Sequence, residues 1–348
     1  MKRTNRIFII LTFLFSNFFA LSFISCPQNA QTTEENAQTT ENNLNANSVE
    51  LGDYSLLLSS AKINTENKYV AHSIEFNGQD VLTYNFEWNS ELKHAVWSGF
   101  YFDSDLIKTG TNADGSKVIR SDRMSENLLY EKGGTYGFQP DPNVENSDLA
   151  YNHRGDGYDR GHIIGSADRL YNQDANNQTF YYTNMSPQIG DFNQGFWGKV
   201  ENKVRDLSKN ALSSGYEKVY ITKGGDTKNL LKNFSGTPRE SDGTPTTDAN
   251  GFSSKGLAVP SAYYIVMLAE KKSDDTSSAE NYITLGFYIP HKGDLTKSPT
   301  NSEIQNYIYS IDYIENQTGL DFFCNLIDSV ENEVESRSKE TCISSWTW

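Results

Sequence analysis

Cysteine is scarce in this chain: three in 348 residues, at Cys26, Cys324 and Cys342. So few exclude a dense disulfide framework, and the lack of any Cys-x-x-Cys excludes a zinc finger. Basic residues are also short, with 30 Lys and Arg against 45 Asp and Glu and a net charge of −15. A chain of that sign lacks the broad basic surface of a tight nucleic-acid binder. To act on an anionic polymer it needs a local positive groove or a bound cation, and its contacts should be weak, salt-sensitive and sequence-independent. Histidine is limited to His72, His94, His153, His162 and His291, so each can be weighed singly. Only one apolar run is long, residues 7–24.

That run follows Lys2, Arg3 and Arg6, the order of a secretory leader. It is near the minimum for a membrane span and contains Asn17 and Ser22, which favours a leader over a permanent transmembrane helix. Phe23-Ile24-Ser25-Cys26 reads as a lipobox with Phe23 where leucine is usual. Residues 1–25 are therefore expected to be a lipoprotein-type signal peptide. Cleavage leaves Cys26 as a lipidated first residue, holding the chain at an extracytoplasmic membrane surface. Cleavage near Ala30, giving a secreted protein, is the alternative. Residues 26–50 are rich in Gln, Asn, Thr and Glu, and 30–34 repeats as 37–41. With little to bury they are expected to form a disordered tether. Residues 51–348 then form the folded domain, in which Cys324 and Cys342 are a candidate disulfide.

Aromatic and β-branched runs predict strands at 81–86, 97–102, 158–164, 180–184, 218–222, 263–269 and 282–289. Phe196, Trp197, Val200, Val204 and Leu207, three or four apart, predict a helix over 193–207. A second amphipathic helix is expected over 304–318, ending at Gly319. The fold class is α+β, a mainly antiparallel sheet with flanking helices.

The densest chemistry is Tyr158-Asp159-Arg160-Gly161-His162, followed by Asn184-Met185-Ser186-Pro187-Gln188, then Phe192-Asn193-Gln194-Gly195-Phe196-Trp197 and Glu201. An arginine for phosphate, a histidine for a proton, and an asparagine and glutamate for a hard cation are the parts of a metal-assisted phosphodiesterase. An ordinary imidazole titrates near pH ~6.5, which suits His162 as general base. Arg160 is the candidate phosphate clamp, through two parallel donors. Gly161 lets the backbone pass close to the site. Asp159 takes a supporting role, with a purely structural pairing to Arg160 as the alternative. Asn184 and Gln188 serve either the waters of a cation or the strand–helix turn.

On a regular helix, Asn193 and Glu201 would lie about 12 Å apart along the axis. Two oxygens on one magnesium lie no more than about 4 Å apart. Asn193 is therefore expected to be the direct ligand and Glu201 to act through a bound water. Asn193 also suits a helix N-cap, and the two roles are compatible. A surface glutamate near Lys203 or Arg205 is the bland reading of Glu201. Lys199, Lys203, Arg205, Lys209, Lys223, Lys228 and Lys232 are the local basic candidates, and for most of them a solvated face is the expected place.

These stretches resemble the DNA/RNA non-specific endonuclease family, the sugar-non-specific nucleases with a ββα-metal site. The likeness runs through 159–167 and 180–201 and recurs at Val259-Pro260-Ser261-Ala262-Tyr263-Tyr264 and over 311–320. A fainter form is Glu91-Leu92-Lys93-His94-Ala95-Val96-Trp97, so it spans about 80–330. The resemblance implies a strand–loop–strand–helix metal motif and metal-dependent hydrolysis of phosphodiester bonds in DNA and RNA by activated-water attack. It implies magnesium as cofactor (manganese or another divalent cation substituting), the same division between Asn193 and Glu201, and no obligate protein partner. One departure is the arginine that the family usually carries about thirty residues upstream of Asp159. Lys132 stands in that neighbourhood, and Arg120, Arg123 or Arg154 are the possible replacements. A surface lipoprotein that keeps the fold as a non-catalytic binding module is the alternative; it would be expected to lose His162, Asn193 or Glu201, and all three are present.

Overall fold

Tyr263, Ile265 and Met267 alternate with Tyr264, Val266 and Leu268, and all six are buried. A strand apolar on both faces belongs at the centre of a sheet covered on both sides. In the computed structural model, which describes residues 43–121, 137–145, 155–239, 242–273 and 275–348, this strand is β7 (Ala262–Lys271). Its neighbours are β1 (Lys68–Phe76), β2 (Gln79–Asn89), β3 (His94–Phe102), β6 (Tyr216–Gly225), β8 (Tyr282–Pro290) and the short β9 (Ile308–Tyr309). They form one seven-stranded sheet in the order β1-β2-β3-β6-β7-β8-β9, every neighbouring pair antiparallel.

Each face is covered by a different part of the chain. Phe100, Ile221, Ile265, Phe287 and their neighbours pack against Ile163, Met185, Phe192, Phe196, Trp197, Val200 and Val204. Those residues come from a separate hairpin, β4 (Asp159–His162) with β5 (Met185–Gln188), and from the helix that follows. Short α1 (Gln173–Gln178) lies in the loop between the hairpin strands. The helix opens with a π turn over Phe192–Trp197 and continues as α2 (Gly198–Ser213). The opposite sheet face, through Trp97, Tyr220, Tyr264, Val266 and Leu268, packs on Ala61, Ile63, Ile311, Ile314, Phe322, Phe323, Val330 and Val334. This second layer holds α4 (Ile311–Thr318) and α5 (Asp328–Glu335), while Ile304 of α3 (Asn301–Gln305) and Cys342 of α6 (Lys339–Ser345) join the first.

The expected α+β architecture is present, with four local corrections. Residues 180–184 are not a strand: Tyr182–Asn184 is a 3-10 turn and the strand starts at Met185. The single helix expected over 304–318 is two helices separated by β9. Thr300 and Glu303 close a capping box on α3, and Ser310 caps α4 afresh by accepting from the Tyr313 N–H. Gly319 does end α4, in the left-handed conformation at φ 73°. Residues 43–50, assigned by composition to the tether, are pinned to the domain. The Asn47 side chain is buried and bonds Ser55 and Ala61, and the Asn43 amide donates to Cys324 and Leu326 carbonyls. Their polar side chains find buried backbone partners, which composition does not reveal. Cys324 and Cys342 are both free and buried, so the candidate disulfide does not form. Cys26 and the leader lie outside the described residues. Among the described residues no helix is long and apolar enough to cross a membrane.

Candidate active site

In the β4–β5 hairpin, Asp159 faces Gln188, Arg160 faces Pro187, Gly161 faces Ser186 and His162 faces Met185. Period two along β4 places Arg160 and His162 on one side and Asp159 and Gly161 on the other. The shared side is aromatic: the Arg160 guanidinium lies 4.5 Å from the Phe138 ring centre, and the His162 ring lies 5.9 Å from Phe138 and 4.7 Å from Phe180, edge-on. Apolar rings around the candidate base and the candidate clamp restrict the access of water to both side chains. The Phe138 loop is tied down by Gln139, which exchanges backbone bonds with Phe180 and Tyr182. Next to it, buried His72 meets Asp141 at 2.9 Å and Thr183 donates to the same carboxylate. Burial alone would raise the Asp141 carboxyl, but these partners outweigh it and hold it below its ordinary value.

Behind β4 the packing leaves no room. A Cβ on Gly161 would stand 2.1 Å from Gln188 Oε1, so only glycine permits this approach. Gln188 is fully buried there. Asn184 is buried too, and spends its amide on the turn: Oδ1 accepts from the Ile164 N–H at 2.8 Å, and Nδ2 donates to Ile164 and Thr179 carbonyls at 2.9 and 2.7 Å. Of the two roles left open, Asn184 thus serves the turn, while both amide atoms of Gln188 are buried with no hydrogen-bond partner among the described residues. A chain from His94 Nε2 to Ser186 Oγ (2.6 Å) and on to Tyr263 Oη (2.6 Å) braces β5 from the sheet. It joins three motifs far apart in sequence.

Asp159 is the link to the helix. Its Oδ2 accepts from Asn193 Nδ2 at 3.0 Å and Gln194 Nε2 at 2.8 Å, and its Oδ1 pairs with Arg239. Its cationic partner is thus Arg239 from the β6–β7 connection, not adjacent Arg160. With the amide N–H2 of Asn193 held by a carboxylate, its Oδ1 is the atom left for a hard cation. Asn193 is not an N-cap: it lies inside the π turn, where Gly195 departs from helical geometry at φ −100°, ψ −110°. The regular-helix spacing between Asn193 and Glu201 therefore does not hold. A π turn commonly accompanies a functional side chain that must be re-aimed.

Glu201 sits in a half-buried charge cluster. Its Oε1 accepts from Lys223 Nζ at 2.6 Å; Lys223 is also 3.7 Å from Asp168, and Asp168 accepts from Arg205 at 2.6 Å. Lys223 lies 5.6 Å from the Trp197 ring centre. Burial pushes the Asp168 carboxyl up, but Arg205 and Lys223 outweigh this and hold it below its ordinary value. Burial likewise disfavours the Arg205 cation, and Asp168 and Glu201 more than restore it. Glu201 is thus neither a plain surface residue nor a partner of Lys203. Its lysine partner lies 22 positions away and occupies one of its carboxylate oxygens, which suits a carboxylate that orders a water rather than one that binds a cation directly.

Lys223, expected on a solvated face, is 1% exposed in β6. Its position was legible: period two places it with Val219 and Ile221 on the core-facing side. Asp168 carried no sequence signal. Lys223→Met should lower unfolding free energy by about 3–5 kcal/mol, the usual loss when one member of a buried ion cluster is removed. Urea unfolding checks this. Because the Asp168 value is depressed, the cluster's contribution is present above the ordinary carboxylate range. It is lost as pH falls through the lower folded value, and the wild-type–variant gap should shrink there. Of the candidate upstream arginines, Arg123 and Arg154 lie outside the described residues. The Arg120 guanidinium stands 5.7 Å from the Phe180 ring centre, beside the ring that His162 meets.

The sequence model described as DNA/RNA non-specific endonuclease matches residues 65–329, starting earlier than the expected residue 80 and taking in β1. The chain is 32% identical over 209 residues to "Nuclease 1, mitochondrial" of Schizosaccharomyces pombe, covering 58% of each chain. It is 30% identical over 192 residues to "Nuclease EXOG, mitochondrial" of Mus musculus, covering 54% of this chain and 46% of the relative. It is 30% identical over 236 residues to "Nuclease C1" of Cunninghamella echinulata, covering 67% and 77%. The alignment spans about half the length of the first two relatives and about three quarters of the third.

Proposed function

Because this chain belongs to the DNA/RNA non-specific endonuclease family, we propose that it hydrolyses phosphodiester bonds within DNA and RNA, using a divalent cation, magnesium foremost. The observation that carries this is the single short unit in which Arg160 and His162 share the Phe138 face while Asp159 holds the amide of Asn193. The donor set fits a hard cation, since the atoms offered are an amide oxygen and a carboxylate and no cysteine among the described residues joins them. Asn193 would hold it directly and Glu201 through a water. When bound, the cation supplies positive charge at the scissile phosphate.

The chain's own residues do the rest. His162 accepts a proton from a water whose oxygen bonds to phosphorus as the opposite ester P–O bond breaks. The departing ester oxygen leaves as an alcohol, its proton coming from solvent. Arg160 donates two hydrogen bonds to the phosphate oxygens as charge builds on them. Arg120, 5.7 Å from the centre of the Phe180 ring that His162 meets, provides a second cation nearby. Lys223 and Arg205 fix Glu201, and Arg239 fixes Asp159. Supercoiled plasmid and a long RNA, each incubated with magnesium and again with EDTA, test the reading. Cleavage of both that EDTA abolishes supports it; no cleavage of either supports a non-catalytic module instead.

The reading extends to location: a lipid on Cys26 tethers the enzyme outside the cytoplasm. The support is the apolar run ending at Ser25-Cys26. Cys26→Ser should leave the domain folded and remove it from the detergent-soluble membrane fraction. Unchanged partitioning with residues 7–24 still attached would speak for a membrane span.

A further inference from the structure

Far from β4 in sequence, the second helical layer gathers carboxylates. Glu331 and Glu335, one turn apart on α5, meet Asp321 from the preceding loop; Asp312 and Glu315 on α4 meet Glu335 as well. Within each group, Asp321–Glu331–Glu335 and Asp312–Glu315–Glu335, the candidate ligand atoms lie within 4.8 Å of one another. Like charges that close repel. No Lys or Arg among the described residues forms an ion pair with any of the five; nearby Lys62 spends its ammonium on the Asn45 and Ala46 carbonyls.

Two further observations separate this cluster from a solvated acidic face. Glu335 is only 6% exposed, and its Oε1 is buried with no hydrogen-bond partner among the described residues. Asn45 donates to both Asp321 Oδ2 (3.1 Å) and Glu331 Oε1 (3.0 Å), yet its own Oδ1 is buried without a partner. A buried carboxylate oxygen with nothing to accept from costs several kcal/mol in general unless a cation or a proton meets it. A cavity of about 370 Å³ opens beside these groups, lined by Asn45, Asp321, Glu331 and Glu335.

We propose that Asp321, Glu331 and Glu335, with the amide oxygen of Asn45, form a calcium site separate from the catalytic centre. All donors are oxygen, which excludes a zinc-type centre. Calcium takes six to eight oxygens in a flexible geometry, whereas magnesium demands a near-ideal octahedron. Three carboxylates and an amide oxygen drawn from a loop, a helix and the N-terminal segment suit the more flexible ion. A bound calcium would join Asn45 of the N-terminal segment to Asp321 and α5, stapling residues 43–47 to the domain where no disulfide does so.

The test uses the full chain as Asn193→Ala, so that the catalytic centre contributes no ion and activity is not the readout. Titration with CaCl2 by calorimetry should show one site, and a hundredfold excess over Kd should raise Tm by about 5 °C. Adding Glu335→Gln should abolish both responses. In calcium-free buffer that variant should melt close to or above its parent, because glutamine matches the acid in shape and carries no charge, which also shows that it folds. Glu335→Gln alone should keep full magnesium-dependent cleavage. Absence of calcium binding in Asn193→Ala, or equal calcium responses with and without Glu335, overturns the proposal. Stabilisation by mild acid and not by calcium overturns it too, leaving shared protons as the neutralising agent.

Discussion

Replacing His162 by alanine should lower the rate of plasmid cleavage by about 10²–10⁴-fold, the usual contribution of a positioned general base. The ring packs against Phe138 and Phe180, so thermal unfolding of the variant is followed beside its rate to separate lost chemistry from lost packing. His162 is not an assigned ligand, and divalent-cation binding should survive the change. The sign of the pH effect follows from the base role. Wild-type cleavage weakens as pH falls and the imidazole takes a proton, because only the neutral ring can accept one from water. The residual activity of His162→Ala should lack that acidic limb. Rate–pH profiles of both proteins decide this. A near wild-type rate, or an acidic limb unchanged in the folded variant, removes His162 from the mechanism.

Much of this arrangement was legible in the sequence because the site is local. Asp159 to His162 and Asn184 to Glu201 fall within 43 consecutive positions, and short-range pattern suffices to set strand, turn and helix there. The central strands were legible for a related reason: aromatic and β-branched residues alternate on both faces of β7. What escaped was long-range. Nothing near Asp159 announces that Arg239, 80 positions later, will take its carboxylate. Nothing in residues 43–50 announces that Asn47 will be buried against Ser55 and Ala61. The π turn escaped because the periodicity of Phe196, Trp197 and Val200 reads through it; the local departure sits at Gly195, where one glycine carries no unique signal. Lys223 escaped for a different reason. A lysine is presumed solvated, and its alternation with Val219 and Ile221 was outweighed by that habit.

Asn193→Ala and Glu201→Gln should separate cation binding from framework stability in opposite directions. Asn193→Ala removes the proposed direct protein ligand, and with it the amide that Asp159 orients. Cleavage should fall by more than about 100-fold, with a matching loss of magnesium affinity, beyond the 10–100-fold usual for a residue that acts through a water. Glu201→Gln keeps a polar group for that water, so its loss of cleavage should stay within about 10–100-fold. Stability should run the other way. Asn193 is only half-buried, and its loss still leaves Asp159 with Gln194 and Arg239 as partners. Glu201→Gln takes a charge from buried Lys223, whose remaining acid, Asp168, stands farther off at 3.7 Å and already serves Arg205. That change should cost about 1.5–3 kcal/mol, the range for a hydrogen bond to a charged group. Urea unfolding and magnesium titration of the two variants read these effects independently. If Asn193→Ala proves the less stable variant, or if both lose magnesium affinity equally, Asn193 does not hold the cation alone and Glu201 binds it directly.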